Sequence, residues 1–166
     1  MTMVAIGLEC SASTDMASIA VAGRDGARWT ADLRWYGDPD EAVAQCSRLY
    51  GELEENCGVF ADPQPSAGVL DDLRAAGLWL HLMEATDVSA SAWQFVTEVR
   101  HRRVKLGGHA ALRSAMRTAV PRPLALRFAF ERKRVTADMS PLNASAFALW
   151  GLRRNEARAD PGVWVF

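Results

Sequence analysis

Three carboxylates stand where carboxylates can do chemistry. Glu9 ends the apolar run Val4-Ala5-Ile6-Gly7-Leu8, Asp62 ends Val59-Phe60-Ala61 just before Pro63, and Asp138 precedes Ser140-Pro141 by two residues. In an open α/β sheet, ligand and metal sites lie beyond the carboxyl ends of the strands. Parallel pairing of the first and fourth strands sets Glu9 and Asp62 side by side, and Asp138 can reach the same edge from the start of the last helix. Three converging carboxylates repel one another unless cations bind between them. Oxygen ligands of this kind suit Mg²⁺ or Mn²⁺. Two such ions about 3.5–4 Å apart activate water and stabilise a leaving oxygen in phosphodiester cleavage. Each residue also has a structural use: Asp-Pro is an ordinary exit from a strand, Glu9 can pair with an arginine, and Asp138 can cap a helix.

The elements that must position these groups follow from periodicity. Val4 to Glu9 and Ser18 to Ala22 read as buried strands, and Asp25-Gly26 marks a turn. Arg28 to Trp35 alternates, with Trp29, Ala31, Leu33 and Trp35 on one face, giving a three-stranded antiparallel meander. Asp38, Pro39 and Glu41 announce a helix that carries Val43, Cys46, Leu49, Tyr50 and Leu53 to about Asn56. Val59 to Asp62 is the next strand, and the intervening helix fits parallel pairing with the first. Ser66 to Ala76 predicts a helix, Leu78 to Met83 a strand containing His81, and Ser89 to Arg103 a helix with Trp93, Val96 and Val99 inward. Gly107-Gly108 opens another helix, with Leu112, Ala115, Met116 and Ala119 at helical spacing. Leu124 to Phe130 reads as one strand, with Glu131-Arg132-Lys133-Arg134 as a basic loop or hairpin tip. The last helix starts at Ser140-Pro141, buries Leu142, Ala146, Leu149 and Trp150, and ends near Arg153-Arg154; Gly-Val-Trp-Val-Phe closes the chain as a docking strand or tail.

Composition narrows the class. The 166 residues fit one domain, and 49% hydrophobic with 23% charged residues is ordinary for a soluble protein. No apolar run nears the roughly 20 residues that span a bilayer, and the opening residues do not read as a secretory leader. Cys10, Cys46 and Cys57 form no Cys-x-x-Cys pair, which fits reduced thiols in the cytoplasm. The charge is unevenly divided: residues 1–96 carry 5 basic and 15 acidic side chains, residues 97–158 carry 14 and 4. An acidic site beside a basic surface is what a polyanion such as DNA seeks, although the same cations can simply solvate helix faces. No Gly-x-x-x-x-Gly-Lys-[Ser/Thr] occurs, so P-loop ATP hydrolysis is excluded. His81, His101 and His109 read as structural or surface residues, and the six tryptophans as core.

These segments carry a resemblance. Val4 to Glu9 followed by Ser18-Ile19-Ala20-Val21-Ala22-Gly23, then Val59-Phe60-Ala61-Asp62-Pro63, then Ala137-Asp138-Met139-Ser140-Pro141-Leu142-Asn143-Ala144 through Ala148-Leu149-Trp150-Gly151, run in the order found in ribonuclease H-like nucleases. More narrowly, the chain resembles the C-terminal nuclease domain of a bacteriophage terminase large subunit over nearly its whole length. The resemblance implies an α/β, ribonuclease H-like fold: a central mixed sheet of five or more strands, antiparallel meander then parallel strands, flanked by helices. It implies a single nuclease domain over residues 1–166 without the ATPase motor domain, working in the bacterial host cytoplasm. It further implies a two-metal-ion endonuclease that cuts double-stranded viral DNA during packaging, with Mg²⁺ or Mn²⁺ as cofactor. The partners implied are double-stranded DNA, the terminase ATPase domain, the small terminase subunit and the portal protein. Residue by residue, Asp62 matches the central acid and Asp138 the C-terminal acid, while Glu9 stands where the family usually has aspartate. Asp15 is a fallback metal ligand. Lys105, Arg132, Lys133 and Arg134, with Arg102 and Arg103, are the expected phosphate contacts. Two other readings keep the fold: a noncatalytic DNA- or portal-docking module, and a nuclease of other specificity such as a junction resolvase.

Overall fold

A computed structural model describes residues 3–54 and 56–159. Its strands are β1 (Val4–Cys10), β2 (Ala17–Asp25), β3 (Arg28–Gly37), β4 (Asn56–Ala61), β5 (Leu80–Leu82), β6 (Val104–Leu106), β7 (Pro121–Leu124) and β8 (Arg127–Phe130). Its helices are α1 (Pro39–Glu52), α2 (Pro63–Ala75), α3 (Ala85–Arg100), α4 (Ala110–Thr118) and α5 (Ser140–Ala159). Six strands form one sheet in the order β5-β4-β1-β2-β3-β6. β1, β2 and β3 are antiparallel neighbours, while β4 runs parallel to β1 and β5 parallel to β4. The expected mixed sheet, antiparallel meander then parallel strands, is thus present, with β6 added in parallel beyond β3.

Alternation along β1 sorts its side chains between two cores. Ile6, Leu8 and Cys10 join Ile19, Val21, Val59 and Ala61 against α1 and α2. Ala5 joins Ala20, Ala22 and Phe60 against α5, α3 and α4. α1 forms because Asp38 accepts a hydrogen bond from the Asp40 amide, Pro39 fits the first turn, and Ala42, Cys46 and Leu49 share its buried face. α5 is buried through an unbroken run from Ser140 to Leu149. It lies between the sheet on one side and α3 with α4 on the other. Small residues permit this placement. A Cβ on Gly7 would collide with the Ala144 carbonyl of α5, and one on Gly151 would collide with the Phe60 ring.

Several sequence expectations are corrected. Leu124 to Phe130 is not one strand: β7 and β8 form a hairpin whose turn holds Ala125 at φ 49° and Leu126, 97% exposed. Glu131 to Arg134 therefore follows the hairpin and is not its tip. α3 begins at Ala85, four residues early, because Glu84 and Asp87 make a reciprocal capping box. Val104 to Leu106 becomes a strand, and α4 starts only at Ala110, where His109 Nδ1 caps it by accepting from the Ala111 amide. A register shift between Ile19 and Ala20 leaves Arg34 without a partner in the ladder. That bulge sends Trp35 to the α1 side and Tyr36 to the α5 side, separating Trp35 from Trp29, Ala31 and Leu33. Trp93, expected inward, is 44% exposed beneath the Arg127 guanidinium at 4.1 Å. The expected closing Gly-Val-Trp-Val-Phe segment lies outside the described residues. No helix among them is long and apolar enough to cross a membrane.

The Gly7–Ala144 approach gives a direct test. Gly7→Ala is expected to destabilise the fold by about 3 kcal/mol, the upper end for an overpacked core, because the obstacle is backbone. Urea unfolding followed by circular dichroism measures it.

Candidate active site

The acid pair is assembled by strand ends. β1 and β4 pair in parallel through Leu8 and Ala61, so the next residues, Glu9 and Asp62, leave the same edge of the sheet. Glu9 is fully buried on the α5 side, and Asp62 is 7% exposed. Asp62 also starts α2, accepting from the Gln64 amide at 3.0 Å through Oδ1, with Pro63 in the first turn. Its other oxygen remains free for a second partner. Ser66 Oγ, one turn into α2, accepts the Cys10 amide at 3.2 Å and ties α2 to the end of β1.

That second partner is Arg132. Its Nη2 donates to Asp62 Oδ2 at 2.8 Å and to Glu9 Oε2 at 2.8 Å, while Nε donates to Glu9 Oε1 at 3.2 Å. Asn143, on the first turns of α5, completes the set by donating Nδ2 to Glu9 Oε1 at 2.8 Å. Burial pushes the Glu9 carboxyl up to about 7, against the pull of Arg132 and Asn143, with Asp62 adding to the rise. Two carboxylate oxygens from different strands thus converge on a single cationic nitrogen. The guanidinium is the cation at the point where the two oxygens converge, and carboxylate oxygens are the kind of donor that Mg²⁺ or Mn²⁺ would take there.

Asp138 occupies the same corner but a separate network. Its Oδ1 accepts from the Ser140 amide at 2.9 Å, capping α5. Its Oδ2 accepts from Ser140 Oγ at 3.0 Å, Thr14 Oγ1 at 3.1 Å and Tyr36 Oη at 3.2 Å. Burial, and then the Asp138 charge, push the Tyr36 phenol up to about 12, so it stays a donor at neutral pH. Ser140 Oγ lies 2.8 Å from Ser18 Oγ, and Ser18 stands opposite Glu9 in the ladder. The two networks are neighbours across one strand. Among the described residues, no three carboxylate, imidazole or thiol side chains close on one point, so the expected three-acid cluster is here a pair with Asp138 beside it. Asp15 is exposed in the β1–β2 connection.

The expected phosphate contacts divide. Arg132 lies inside the acid pair instead of on the surface. Lys133 and Arg134 are exposed and line, with Arg122, Arg132, Gln64 and Ala12, a groove of about 730 Å³ beside the pair. Arg103 pairs with the buried Glu98, and Lys105 lies 3.4 Å from Asp25. Lys105 is opposite Thr30 on β3, six residues from Tyr36, which places it about 20 Å along the strand from the acid end. Arg102 and Arg103 precede that strand and belong to the same far end of the sheet.

Sequence reasoning passed over Asn143, Tyr36, Thr14, Ser18 and Arg122. Asn143 carried a readable signal, a polar amide amid the apolar face Leu142, Ala146 and Leu149. Tyr36 carried none, because only the bulge turns it inward.

Solved structures share this arrangement of elements. The HK97 bacteriophage large terminase superposes with a TM-score of 0.73 at 15% identity, over 90% of this chain and 39% of that one. The large terminase nuclease from thermophilic phage G20c gives 0.68 at 13% identity, over 89% of this chain and 81% of that one. The fold is that of a large terminase nuclease. The G20c nuclease with bound magnesium also matches, at TM-score 0.57 and 11% identity, over 89% and 80% of the two chains. The chain spans about two fifths of the HK97 protein. No protein-family model and no curated protein matches the sequence.

Asn143 is the orienting donor on Glu9. Asn143→Ala is expected to cost about 2 kcal/mol, the usual worth of a buried hydrogen bond to a charged group. Urea unfolding in a chelating buffer reads this loss.

Proposed function

We propose that this chain is a metal-dependent endonuclease that hydrolyses phosphodiester bonds of double-stranded DNA during viral genome packaging. The observation that carries the reading is the convergence of Glu9 Oε2 and Asp62 Oδ2 on one cationic nitrogen at the carboxyl ends of β1 and β4. The shared fold and the magnesium bound by the G20c nuclease support it. Glu9 and Asp62 would hold Mg²⁺ or Mn²⁺, and the two-ion form of the reaction assigns Asp138 to the second ion. Bound there, the metal supplies an activated water and charge stabilisation for the leaving oxygen.

The chain's own residues do the rest. Asn143 and the burial of Glu9 fix its carboxylate and keep bulk water from it. Arg122, Lys133 and Arg134 offer the groove beside the pair to backbone phosphates, which gives salt-dependent affinity without sequence preference. The ATPase domain, the small terminase subunit and the portal protein complete the proposal as partners, with the host cytoplasm as the place of action.

One observation favours a second reading. Arg132 neutralises part of the acid pair, as suits a noncatalytic DNA- or portal-docking module.

Plasmid cleavage separates the two. The purified protein with Mn²⁺ is expected to nick or linearise supercoiled plasmid, and chelation to stop it. Asp62→Asn is the sharper variant, because its side-chain oxygen still caps α2 while the charge is lost; it is expected to abolish cutting in a protein that still folds, with a lower melting curve because the amide nitrogen replaces the acceptor of Arg132. Intact plasmid at several protein concentrations with Mn²⁺ rejects the nuclease reading. Loss of DNA binding on replacing Lys133 and Arg134, without any cleavage by the parent, favours the docking module.

A further inference from the structure

Arg132 stands where a cation is wanted, but it comes from a different kind of element than its partners. Glu9 and Asp62 leave the ends of central strands and are fixed by the sheet, by Asn143 and by the α2 cap. Arg132 sits in residues 131–137, which form neither helix nor strand. Glu131 anchors that segment: its amide donates to the Val120 carbonyl at 2.8 Å, and its Oε1 accepts the Arg132 and Lys133 amides, each at 3.0 Å. The anchor holds the backbone of the loop and leaves the long arginine side chain as the movable partner. The groove that begins at Arg132 itself is lined by Glu131 as well as by Arg122, Lys133 and Arg134, so a guanidinium entering it finds a carboxylate among the cations.

Charge gives the reason for a second position. When both acids are ionised, two carboxylates share one guanidinium and one negative charge is left uncompensated in a buried place. A divalent ion would cancel both charges, and it cannot share the point with Nη2, since like charges at contact distance repel strongly. Without any cation, two buried carboxylates would face each other unpaired, a costly arrangement.

Resting on the metal reading above, we infer that Arg132 is a resident counter-cation of the acid pair, displaced when a divalent ion binds. It keeps Glu9 and Asp62 assembled while no ion is present, and competition with it sets how tightly the ion is held. Arg132 is in this sense a positioning residue. Apparent affinity for the ion is then reduced by the fraction of molecules in which the arginine occupies the site.

Calorimetric titration with MnCl₂ alone, on the full chain, tests this for the parent, Arg132→Ala and Arg132→Lys. Melting curves in chelator and in Mn²⁺ accompany it. Arg132→Ala is expected to bind Mn²⁺ at least about tenfold tighter than the parent, as removal of a competitor requires. It is also expected to melt lower in chelator and to gain more from Mn²⁺ than the parent does. Lysine keeps the charge but lacks the two-pronged fork, so Arg132→Lys is expected to fall between the two. Folding of Arg132→Ala only in the presence of Mn²⁺ supports the inference. If that variant folds in neither condition, tighter binding by Arg132→Lys supports it and unchanged binding overturns it. Equal Mn²⁺ affinities in all folded proteins overturn the counter-cation role and leave the metal site standing. Absence of Mn²⁺ binding in all of them overturns the metal reading itself, and the inference with it.

Discussion

α5 touches the central strand with nothing between the two backbones, because Gly7 has no side chain and Ala144 presents its carbonyl there. The rest of the site depends on this approach. With Gly7 under Ala144, Asn143 falls beside Glu9 and Ser140 beside Ser18. A bulkier residue in either place would lift the helix, and the polar groups at its start would lose their partners. The apolar residues Leu142, Ala146, Phe147 and Leu149 supply the energy that holds the helix down, and the sheet's small residues Ala5, Ala20 and Ala22 supply the flat surface. Packing and polar positioning are therefore one arrangement.

Electrostatics at that corner follows from burial. A carboxylate as deep as Glu9 is unfavourable alone, and the fold answers with Asn143 and the Arg132 fork, whose planar donors match a carboxylate. Asp62 is held differently: one oxygen caps α2 and the other shares the arginine. Asp138 is tied to hydroxyl and amide donors alone. Three carboxylates at one end of the sheet thus have three different environments. That difference divides their proposed tasks: a buried anchor, a strand-end acid open to sharing, and an acid at the head of α5.

Much of this was legible before any coordinates. The meander, the order of strands and helices, and Asp62 at the edge of β4 follow from alternation, turn residues and capping signals. Parallel pairing of β1 and β4 follows from the intervening α1. What failed did so for identifiable reasons. The β7–β8 hairpin was hidden because Ala125 and Leu126 are not residues that announce a turn. Trp35 and Tyr36 exchanged faces through a bulge, which leaves no mark in a simple period of two. Among the expected phosphate contacts, Arg103 pairs with Glu98 and Lys105 lies beside Asp25, partners that a run of cations does not announce.

The sequence by itself determined which groups could do chemistry and which elements would carry them, because hydrophobic period, caps and turns are local properties. It placed Glu9, Asp62 and Asp138 at element ends and put most of the cations after residue 96. Only the tertiary structure decided how they are partnered. Pairing between residues as distant as Glu9 and Arg132 depends on strand order, on the depth at which a helix docks and on a loop's path, none of which a local pattern encodes. The arginine that seemed made for DNA lies between the two acids because burial there demanded a cation.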